Sequence, residues 1–172
     1  MKKQILLLLL LPLAALAQQQ QTVPDVTLQT TDGKSVSLRS YVGKGPLQIA
    51  FWALWCEPCK QELKVMSQVY DSLNKQGYTL LGVCEDNQKS MAKVRGFASA
   101  KGWNFPILLD PNGDALRKLN GLNIPFSLIV DKEGNIKSTH IGYVAGDEVP
   151  VEKEIHELLP QANANAGGGT GK

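Results

Sequence analysis

The fold is decided by residues 47–59, which read LQIAFWALWCEPC. Leu47–Leu54 is a continuous apolar run of strand length, as is typical of a strand buried on both faces. Immediately after it, Cys56 and Cys59 stand at the start of a segment whose apolar residues follow helical spacing. The run therefore predicts a buried strand that leads directly into a helix, with a Cys-x-x-Cys pair at the junction.

Strand and helix patterns alternate on both sides of this junction. The predicted strands are Val26–Thr30, Ser35–Leu38, Leu47–Leu54, Tyr78–Cys84, Phe105–Leu109, Phe126–Asp131 and Asn135–Ile141. The predicted helices are the one that follows the cysteines up to Gly77, then Gln88–Lys101, Gly113–Leu119 and a last one capped by Asp147. Strands that alternate with helices and end in a hairpin predict an α/β domain with a mixed sheet.

Composition limits the classes of function. The 172 residues carry a formal charge of +2, from 18 Lys+Arg and 16 Asp+Glu. Lys2 and Lys3 account for the whole excess, and both lie in a segment that we expect to be removed. A neutral mature chain argues against nucleic acid as a partner. Three cysteines are too few for a disulfide-dense small scaffold.

The two ends of the chain differ in composition from its middle. Residues 1–17 combine a basic start, the apolar run Ile5–Leu16 and an Ala15-Leu16-Ala17 cleavage site, which predicts a secretory signal peptide. An uncleaved anchor is the alternative, but such a run rises only about 18 Å as a helix, against about 30 Å of bilayer core. We expect a polar lead-in at 18–22, one folded domain at 23–159 and a disordered low-complexity tail at 160–172. The mature protein is expected in the periplasm or cell envelope, without a stable membrane anchor.

The cysteine pair carries the chemistry. A cysteine at a helix N-terminus is stabilised as thiolate, the nucleophile of disulfide exchange. Cys59 lies one turn later and can resolve a mixed disulfide, while Pro58 fits the first helical turn. Three alternatives stay open. A zinc site would need two more ligands, and covalent haem would need His in place of Lys60. A permanent structural disulfide would gain little from so short a loop.

The stretch Phe51–Cys59 resembles the active-site strand of the thioredoxin superfamily. Its Cys-Glu-Pro-Cys version, together with the export signal and the hairpin before it, is similar to the TlpA/ResA branch of thiol-disulfide oxidoreductases. The resemblance extends from Val23 to Leu159. It implies a thioredoxin-like fold, with a central mixed sheet flanked by helices and an N-terminal hairpin. It also implies that Cys56 attacks a partner disulfide and Cys59 releases the reduced partner, with no dissociable cofactor and no metal.

The same resemblance assigns a role to Ile124-Pro125, before the strand that starts at Phe126. In thioredoxin-like proteins a cis-proline begins the strand opposite the redox pair, and the backbone before it pairs with the substrate peptide. X–Pro bonds in general favour trans, so the cis expectation comes from the resemblance alone. Many relatives carry Thr after this proline, and the Phe126 found here predicts different substrate contacts.

One position departs from the thioredoxin pattern. Thioredoxins carry a buried Asp six residues before the first cysteine, where this chain has Ala50. Glu62 is the candidate replacement, because it lies on the apolar side of the helix one turn after Cys59 and relatives carry an acid there. A partly buried carboxylate would have a raised pKa and would accept the Cys59 proton. The alternative is an ordinary surface glutamate.

Several neighbouring residues receive lesser roles. Trp55, Glu57 and Pro58 are expected to contact the partner protein, while Trp52 is expected to pack in the core. Cys84, the odd thiol, is expected to behave as a small buried hydrophobe. His140 and His156 have the positions of ordinary strand and helix surface residues.

The resemblance implies a reductant of envelope proteins, apocytochrome among them, supplied with electrons by a membrane or envelope thiol reductase. A thiol peroxidase is a second hypothesis, because peroxiredoxin-like chains share the N-terminal hairpin. Those chains need Pro and Thr or Ser where Ile49 and Ala53 stand. A third hypothesis is a non-enzymatic module that binds peptides in its groove or a metal on the two cysteines.

Overall fold

The structure is a computed structural model that describes residues 21–160. The predicted signal peptide, most of the polar lead-in and all of the predicted tail except Pro160 lie outside these residues. The strands are β1 Thr27–Thr30, β2 Ser35–Ser37, β3 Leu47–Trp52, β4 Thr79–Cys84, β5 Ile107–Leu109, β6 Phe126–Val130 and β7 Ile136–Ile141. The α-helices are α1 Glu57–Leu73, α2 Met91–Ala100, α3 Asp114–Lys118 and α4 Glu148–Leu158.

The strands form one mixed sheet in the order β2-β1-β5-β4-β3-β6-β7. β3 runs parallel to β4 and antiparallel to β6, so it has neighbours on both sides. The predicted hairpins β1–β2 and β6–β7 are both present and antiparallel. All residues of β3 are buried, as its apolar run predicts. The predicted thioredoxin-like architecture, with a mixed sheet and an N-terminal hairpin, is confirmed.

The sheet separates two apolar layers because successive side chains of a strand point to opposite faces. In β3, Ala50 and Trp52 face the layer that holds α1, α2 and α4. Ile49 and Phe51 face the layer that holds α3 and the N-terminal segment. By the same alternation, Gln48 faces α1, although it is polar and fully buried. The α1 side of β3 is therefore where the sheet and the cysteine-bearing helix meet.

Glycine ends the first helical segment. After α1 a short 3-10 turn, Asn74–Gln76, runs into Gly77, whose φ of 106° only glycine adopts readily. The same glycine lies against the chain before β3: a Cβ on Gly45 would come within 2.7 Å of the Gly77 carbonyl oxygen. This close approach brings the start of β4 beside β3.

Two helix predictions need correction. Gln88–Lys101 was expected to be one helix, but Gln88–Ser90 is a 3-10 turn and α2 begins at Met91. Asp147 is the N-cap residue of α4, as predicted, but its side chain makes no capping hydrogen bond. Asp147 already has helical backbone angles, and its carboxylate accepts a hydrogen bond from the Val144 N–H behind it, not from α4. Among residues 21–160, no helix combines the length and the apolar character needed to cross a bilayer.

Candidate redox site

The two cysteines of the Cys-x-x-Cys pair form a disulfide, with Cα atoms 5.4 Å apart. Cys56 is the N-cap residue of α1, and Cys59 lies in its first turn; both are buried. β3 gives way to the helix through a turn in which the Cys56 N–H donates to the Ala53 carbonyl oxygen, 3.0 Å away. The predicted placement of the pair at a strand-to-helix junction is confirmed.

A carboxylate from the end of β4 holds this junction in place. Asp86 is buried, and its Oδ2 accepts a hydrogen bond of 2.6 Å from the Leu54 backbone N–H. A second tie joins the same segments, since the Glu85 N–H donates to the Trp52 carbonyl oxygen across 2.8 Å. The sequence does not mark Asp86, because no local pattern links it to a residue in a different strand connection.

The helix N-terminus favours negative charge at Cys56. No side chain caps α1, so the N–H groups of its first turn remain available to a thiolate at this position. Glu57 would oppose such a charge, but its exposed carboxylate pairs with Lys60 at 2.7 Å. The hydrogen bond and charge of Lys60 lower the pKa of Glu57. Pro58 occupies the first turn, as predicted.

The Ile124–Pro125 peptide bond is cis, which confirms the expectation drawn from the family resemblance. Phe126, the first residue of β6, pairs with Phe51 of β3. This register places Ile124 and Pro125 at the sheet edge from which β3 runs into Trp55 and Cys56. The Pro125 carbonyl oxygen accepts a hydrogen bond from the Gly142 N–H.

The two tryptophans beside the motif have opposite environments. Trp52 is fully buried and packs edge-on against Trp103, with ring centroids 5.2 Å apart. Trp55 is 71% exposed, which is unusual for so large an apolar side chain. Leu122, before the cis-proline, is exposed as well. The predicted core position of Trp52 is confirmed, and the Trp55 side chain lies at the surface.

Glu62 is buried within the helix face that packs on the sheet. Its Oε1 accepts a hydrogen bond of 3.4 Å from Gln48 Nε2, and Ser127 of β6 lies nearby. Burial raises the pKa of Glu62 to about 7, although Ser127 opposes this shift. Ser127 is the register partner of Ala50, so Glu62 meets the sheet beside that alanine. The predicted burial is confirmed, and the surface alternative is wrong.

A cleft of about 310 Å³ connects this carboxyl group with the surface. The cleft is lined by residues of α1, β3, β6 and β7, of the loop after β7 and of the start of α4. The polar or titratable residues among them are Gln48, Glu62, Ser127, Thr139, His140, Tyr143, Asp147 and Glu148. His140 is half-buried here, with Nε2 3.5 Å from a carboxylate oxygen of Glu154. It was expected to be an ordinary surface residue, and only the pairing of β7 with β6 reveals that it shares a cleft with Glu62.

Cys84 is a buried free thiol at the end of β4. Burial raises its pKa far above the ordinary value, and its Sγ donates to Asp86 Oδ2 across 3.3 Å. The expectation of a small buried hydrophobe is therefore confirmed. Within residues 21–160, no group of three or more His, Cys, Asp or Glu side chains has the arrangement of a metal site.

The chain is similar in sequence to one protein family and to thioredoxin-like oxidoreductases. The AhpC/TSA family matches residues 19–139. Thiol-disulfide oxidoreductase ResA of Geobacillus kaustophilus is 31% identical over 139 residues, which cover 81% of this chain and 77% of that protein. Thioredoxin-like protein YneN of Bacillus subtilis is 35% identical over 142 residues, which cover 80% of each chain.

Solved structures show the same likeness. A thioredoxin-like protein from Porphyromonas gingivalis is 34% identical with a TM-score of 0.69, over 82% of this chain and 94% of that one. A thiol:disulfide interchange protein of the thioredoxin family from Chlorobium tepidum is 25% identical with a TM-score of 0.66, over 80% and 97%. Fold, cysteine pair and relatives agree: the chain belongs to the AhpC/TSA family and is a ResA-like thiol-disulfide oxidoreductase of the thioredoxin superfamily.

Proposed function

We propose that this protein is an exported thiol-disulfide oxidoreductase that reduces disulfides in proteins of the cell envelope. The observation that carries the proposal is the Cys56–Cys59 disulfide at the N-terminus of α1, at the same sheet edge as the cis Ile124–Pro125 bond. A reactive pair placed there meets an extended peptide that lies along the backbone of Ile124.

The reaction begins with the reduced pair. The Cys56 thiolate attacks one sulfur of the partner disulfide, and the other partner sulfur leaves as a thiolate. Cys59 then attacks Cys56 Sγ, which breaks the mixed disulfide and closes the Cys56–Cys59 bond. The partner leaves with both its sulfurs reduced, so two electrons have passed from the cysteine pair to the partner. A thiol donor must reduce the pair again before the next turnover.

Glu62 serves the second step in this proposal. Cys59 must lose its proton before it attacks, and a buried thiol needs a nearby acceptor. A carboxyl group one helical turn away, with a pKa of about 7, is half ionised near neutral pH and can take that proton. The cleft beside Glu62 then gives the proton a way to solvent.

The partner contacts follow from the exposed groups around the disulfide. The main chain of Ile124, next to Pro125, is proposed to pair with the substrate backbone, and the exposed ring of Trp55 is proposed to cover the substrate beside its cysteine. Glu57 and Pro58 lie exposed between the cysteines and are proposed to contact the partner during docking.

The compartment and the partners complete the proposal. The signal-like sequence at residues 1–17 supports export to the periplasm or cell envelope, followed by cleavage, with residues 23–159 as the folded domain. Electrons come from a membrane or envelope thiol reductase. Apocytochrome c is one candidate substrate, since the relatives that resemble this chain belong to the TlpA/ResA branch.

Three proteins test the chemistry: wild type, Cys56→Ser and Cys59→Ser. We expect wild type to reduce a protein disulfide catalytically with dithiothreitol as donor, and Cys56→Ser to be inactive. Cys59→Ser should accumulate a mixed disulfide through Cys56, visible by mass spectrometry and released by reductant. If wild type and Cys56→Ser were equally active, the pair would not be the catalyst, and a binding module would be favoured.

The reduction potential of the pair tests the direction of electron flow. Thioredoxin lies near about −270 mV and the oxidant DsbA near about −120 mV. We expect a value close to the first, as a reductase requires. A value close to the second would contradict the proposed direction while leaving thiol-disulfide exchange intact.

Thiol peroxidase is a second candidate, because the AhpC/TSA match covers most of the described chain. Against it, Ala53 is buried three residues before Cys56 and has no hydroxyl group to bind a peroxide, and Ile49 stands where such enzymes need Pro. Peroxide consumption by the reduced protein decides between them: a rate that depends on Cys56 and exceeds that of the free thiol donor would favour the peroxidase.

A further inference from the structure

Three polar side chains form a continuous buried chain between the sheet and α1. The Tyr78 hydroxyl donates to Gln48 Oε1 across 2.7 Å. Gln48 Nε2 in turn donates to Glu62 Oε1 across 3.4 Å. Gln48 and Tyr78 are at most 1% exposed, in strand regions that are otherwise apolar. Nothing in the proposed cysteine chemistry so far uses either residue.

The direction of these hydrogen bonds fixes how the amide points. A buried tyrosine stays protonated, because burial raises the pKa of Tyr78 well above its usual value, and its O–H is then a donor. With Oε1 engaged by this hydroxyl, Gln48 presents its N–H group to the carboxyl group of Glu62. An N–H donor stabilises a carboxylate, whereas an amide oxygen in the same place would stabilise the protonated acid.

We propose that Gln48 and Tyr78 are positioning residues of the redox reaction, which hold the Glu62 carboxyl group beside Ala50 and favour its ionised form. The inference rests on the proposed function, since it gives this form of Glu62 the task of accepting the Cys59 proton. The Sγ–H bond of Cys59 breaks, and the proton passes to a carboxylate oxygen of Glu62. The resulting thiolate attacks Cys56 Sγ in the mixed disulfide, and the partner sulfur leaves as a thiolate.

Stability alone does not explain the polar pair. Two apolar side chains of similar shape at positions 48 and 78 would pack as well, because a buried hydrogen bond adds only about 1 kcal/mol net. Their polarity matters to Glu62, because Gln48 is the residue of β3 that donates a hydrogen bond to its carboxyl group. The pair thus places a donor on the side of the carboxyl group that faces β3.

Burial and a neighbouring negative charge disfavour the ionised form of Glu62, against the effect of the Gln48 donor. The titratable side chains around it are Cys59 one turn earlier on α1, Tyr78 just before β4, His140 from β7, Tyr143 from the loop after β7, and Asp147 and Glu148 at the start of α4. The negative charge of Asp147 and the burial of the carboxyl group both disfavour ionisation. The N–H donor of Gln48 opposes both effects in part, so its loss should be measurable.

The direct test is an NMR titration of the Glu62 side-chain carboxyl carbon in the oxidised protein, where neither active-site cysteine titrates. Tyr78→Phe removes one oxygen atom and frees the amide to turn. Gln48→Leu removes the donor itself. We expect both to raise the pKa of Glu62, by roughly half to one pH unit for the loss of a single long hydrogen bond to a charged group.

Tyr70→Phe is the matched control. Its ring packs against that of Tyr78 with centroids 6.2 Å apart, but it is not part of the chain that reaches Glu62. It should leave the titration unchanged. A shift equal to that of Tyr78→Phe would mean that general loosening of the aromatic cluster is responsible, and the inference would be overturned. So would an unchanged or lowered pKa in both Tyr78→Phe and Gln48→Leu.

A second readout connects the pair to the reaction. The rate at which Cys59 resolves a preformed mixed disulfide on Cys56 is measured against pH in single turnover. We expect the midpoint of this profile to rise in Tyr78→Phe by the same amount as the NMR midpoint, with an unchanged rate at high pH. A fall in rate by the same factor at every pH would indicate a structural effect and overturn the inference.

Glu62→Gln separates this inference from the proposed function. If the profile of wild type does not change in Glu62→Gln, the proposed role of Glu62 fails, and the positioning role fails with it. If Glu62→Gln abolishes the pH-dependent step but Tyr78→Phe and Gln48→Leu leave it in place, only the positioning role fails. Amide NMR spectra of each variant establish that it is folded. If Gln48→Leu does not fold, the comparison of Tyr78→Phe with Tyr70→Phe decides whether the positioning role holds.

Discussion

The backbone N–H of Gly142 donates a hydrogen bond of 2.9 Å to the carbonyl oxygen of Pro125. This contact ties the loop that follows β7 to the segment that carries the cis-proline. The same loop supplies Tyr143, one wall of the cleft beside Glu62. The Gly142–Pro125 hydrogen bond therefore connects the proposed substrate-binding edge with the proposed proton path.

Replacement of Gly142 tests whether the loop after β7 keeps this backbone conformation in solution. Gly142 has φ of 80°, and a Cβ there would meet no atom within 4 Å, so Gly142→Ala changes backbone preference without a clash. We expect a loss of about 1 kcal/mol in the free energy of unfolding by urea. Gly96→Ala in the middle of α2 is the control, since its Cβ is equally free and the helical backbone suits alanine.

The control should stabilise the protein by about 0.5–1 kcal/mol. The two variants are thus expected to have effects of opposite sign for the same chemical change. Stabilisation by both would show that the loop adopts another conformation in solution and that the Gly142 hydrogen bond is not maintained.

The two tryptophans separate docking from folding. Trp52→Ala empties a fully buried site and should cost about 3–5 kcal/mol of stability. Trp55→Ala removes a side chain that is 71% exposed, so its stability should change by no more than about 0.5 kcal/mol. For a protein disulfide, kcat/KM of Trp55→Ala should fall about tenfold, as for a lost contact of more than about 1 kcal/mol at an interface.

A small aromatic disulfide makes few contacts beyond its sulfurs and serves as the comparison substrate. With it, Trp55→Ala should remain within about twofold of wild type, since only the cysteine chemistry is then measured. Equal losses for the small and the protein substrate would place Trp55 in the chemistry of Cys56 and not in docking.

Glu62 should make the stability of the oxidised protein depend on pH. Its folded pKa of about 7 lies above the ordinary 4.5, so the folded state holds the proton more tightly than the unfolded state. Stability is therefore full below pH 4.5 and falls as pH rises to about 7, by about 3 kcal/mol at most. In Glu62→Gln this loss should be absent, so the variant should gain on wild type across that range in urea titrations.

Glu148 supplies a control of opposite sign. Hydrogen bonds from its own backbone N–H and from the Tyr143 hydroxyl lower its pKa, so its contribution is lost as pH falls. Relative to wild type, Glu148→Gln should therefore lose stability at neutral pH and not at acidic pH, whereas Glu62→Gln should gain stability at neutral pH. A Glu62→Gln variant with the same pH dependence as wild type would contradict the raised pKa of Glu62.

Asp110 is a buried residue that the sequence did not single out, and it supports α3. Its two carboxylate oxygens accept hydrogen bonds from the backbone N–H groups of Asp114, Ala115 and Leu116, at 2.8, 2.8 and 3.0 Å. Asp110→Ala leaves these donors without partners and should cost about 2–4 kcal/mol. The measurement is urea unfolding at pH 7.

The control for Asp110 is Asp114, four residues later. Its exposed carboxylate pairs with Arg117 at 2.6 Å on the surface of the same helix. Asp114→Ala should cost no more than about 1 kcal/mol, because an exposed ion pair is screened by water. Equal costs for the two variants would mean that α3 is supported by charge at its N-terminus and not by the hydrogen bonds of Asp110.

Local patterns were enough to predict the elements around the redox pair. The apolar run from Leu47 identified β3, and only its end differs: it stops at Trp52, because the hydrogen bond of Cys56 to Ala53 already belongs to the turn. The turn signals at Asp32-Gly33 and before Asn135 gave the two hairpins. These features depend on residues that are neighbours in sequence, so periodicity and turn chemistry suffice to identify them.

The contacts that the sequence did not predict join residues that lie far apart in the chain. Asp86 holds Leu54, and Tyr78 reaches Glu62 through Gln48, yet each contact joins segments that only the sheet order brings together. A signal did exist for Gln48, since it is the one polar residue within the apolar run 47–54. No comparable signal marked Asp86. Asp147 has the predicted N-cap position without a capping hydrogen bond, because its carboxylate accepts one from the loop before α4.

The pairing of β3 with β6 has a consequence for the order in which the site is completed. Both cysteines follow β3 directly, whereas Pro125 and its strand come much later in the chain. At a synthesis rate of about 5–20 residues per second, the thiols emerge several seconds before the strand that will lie beside them. During that interval the newborn chain carries both cysteines without the proposed substrate-binding edge. Under the proposed function, selectivity is acquired only when the last third of the domain has been synthesised.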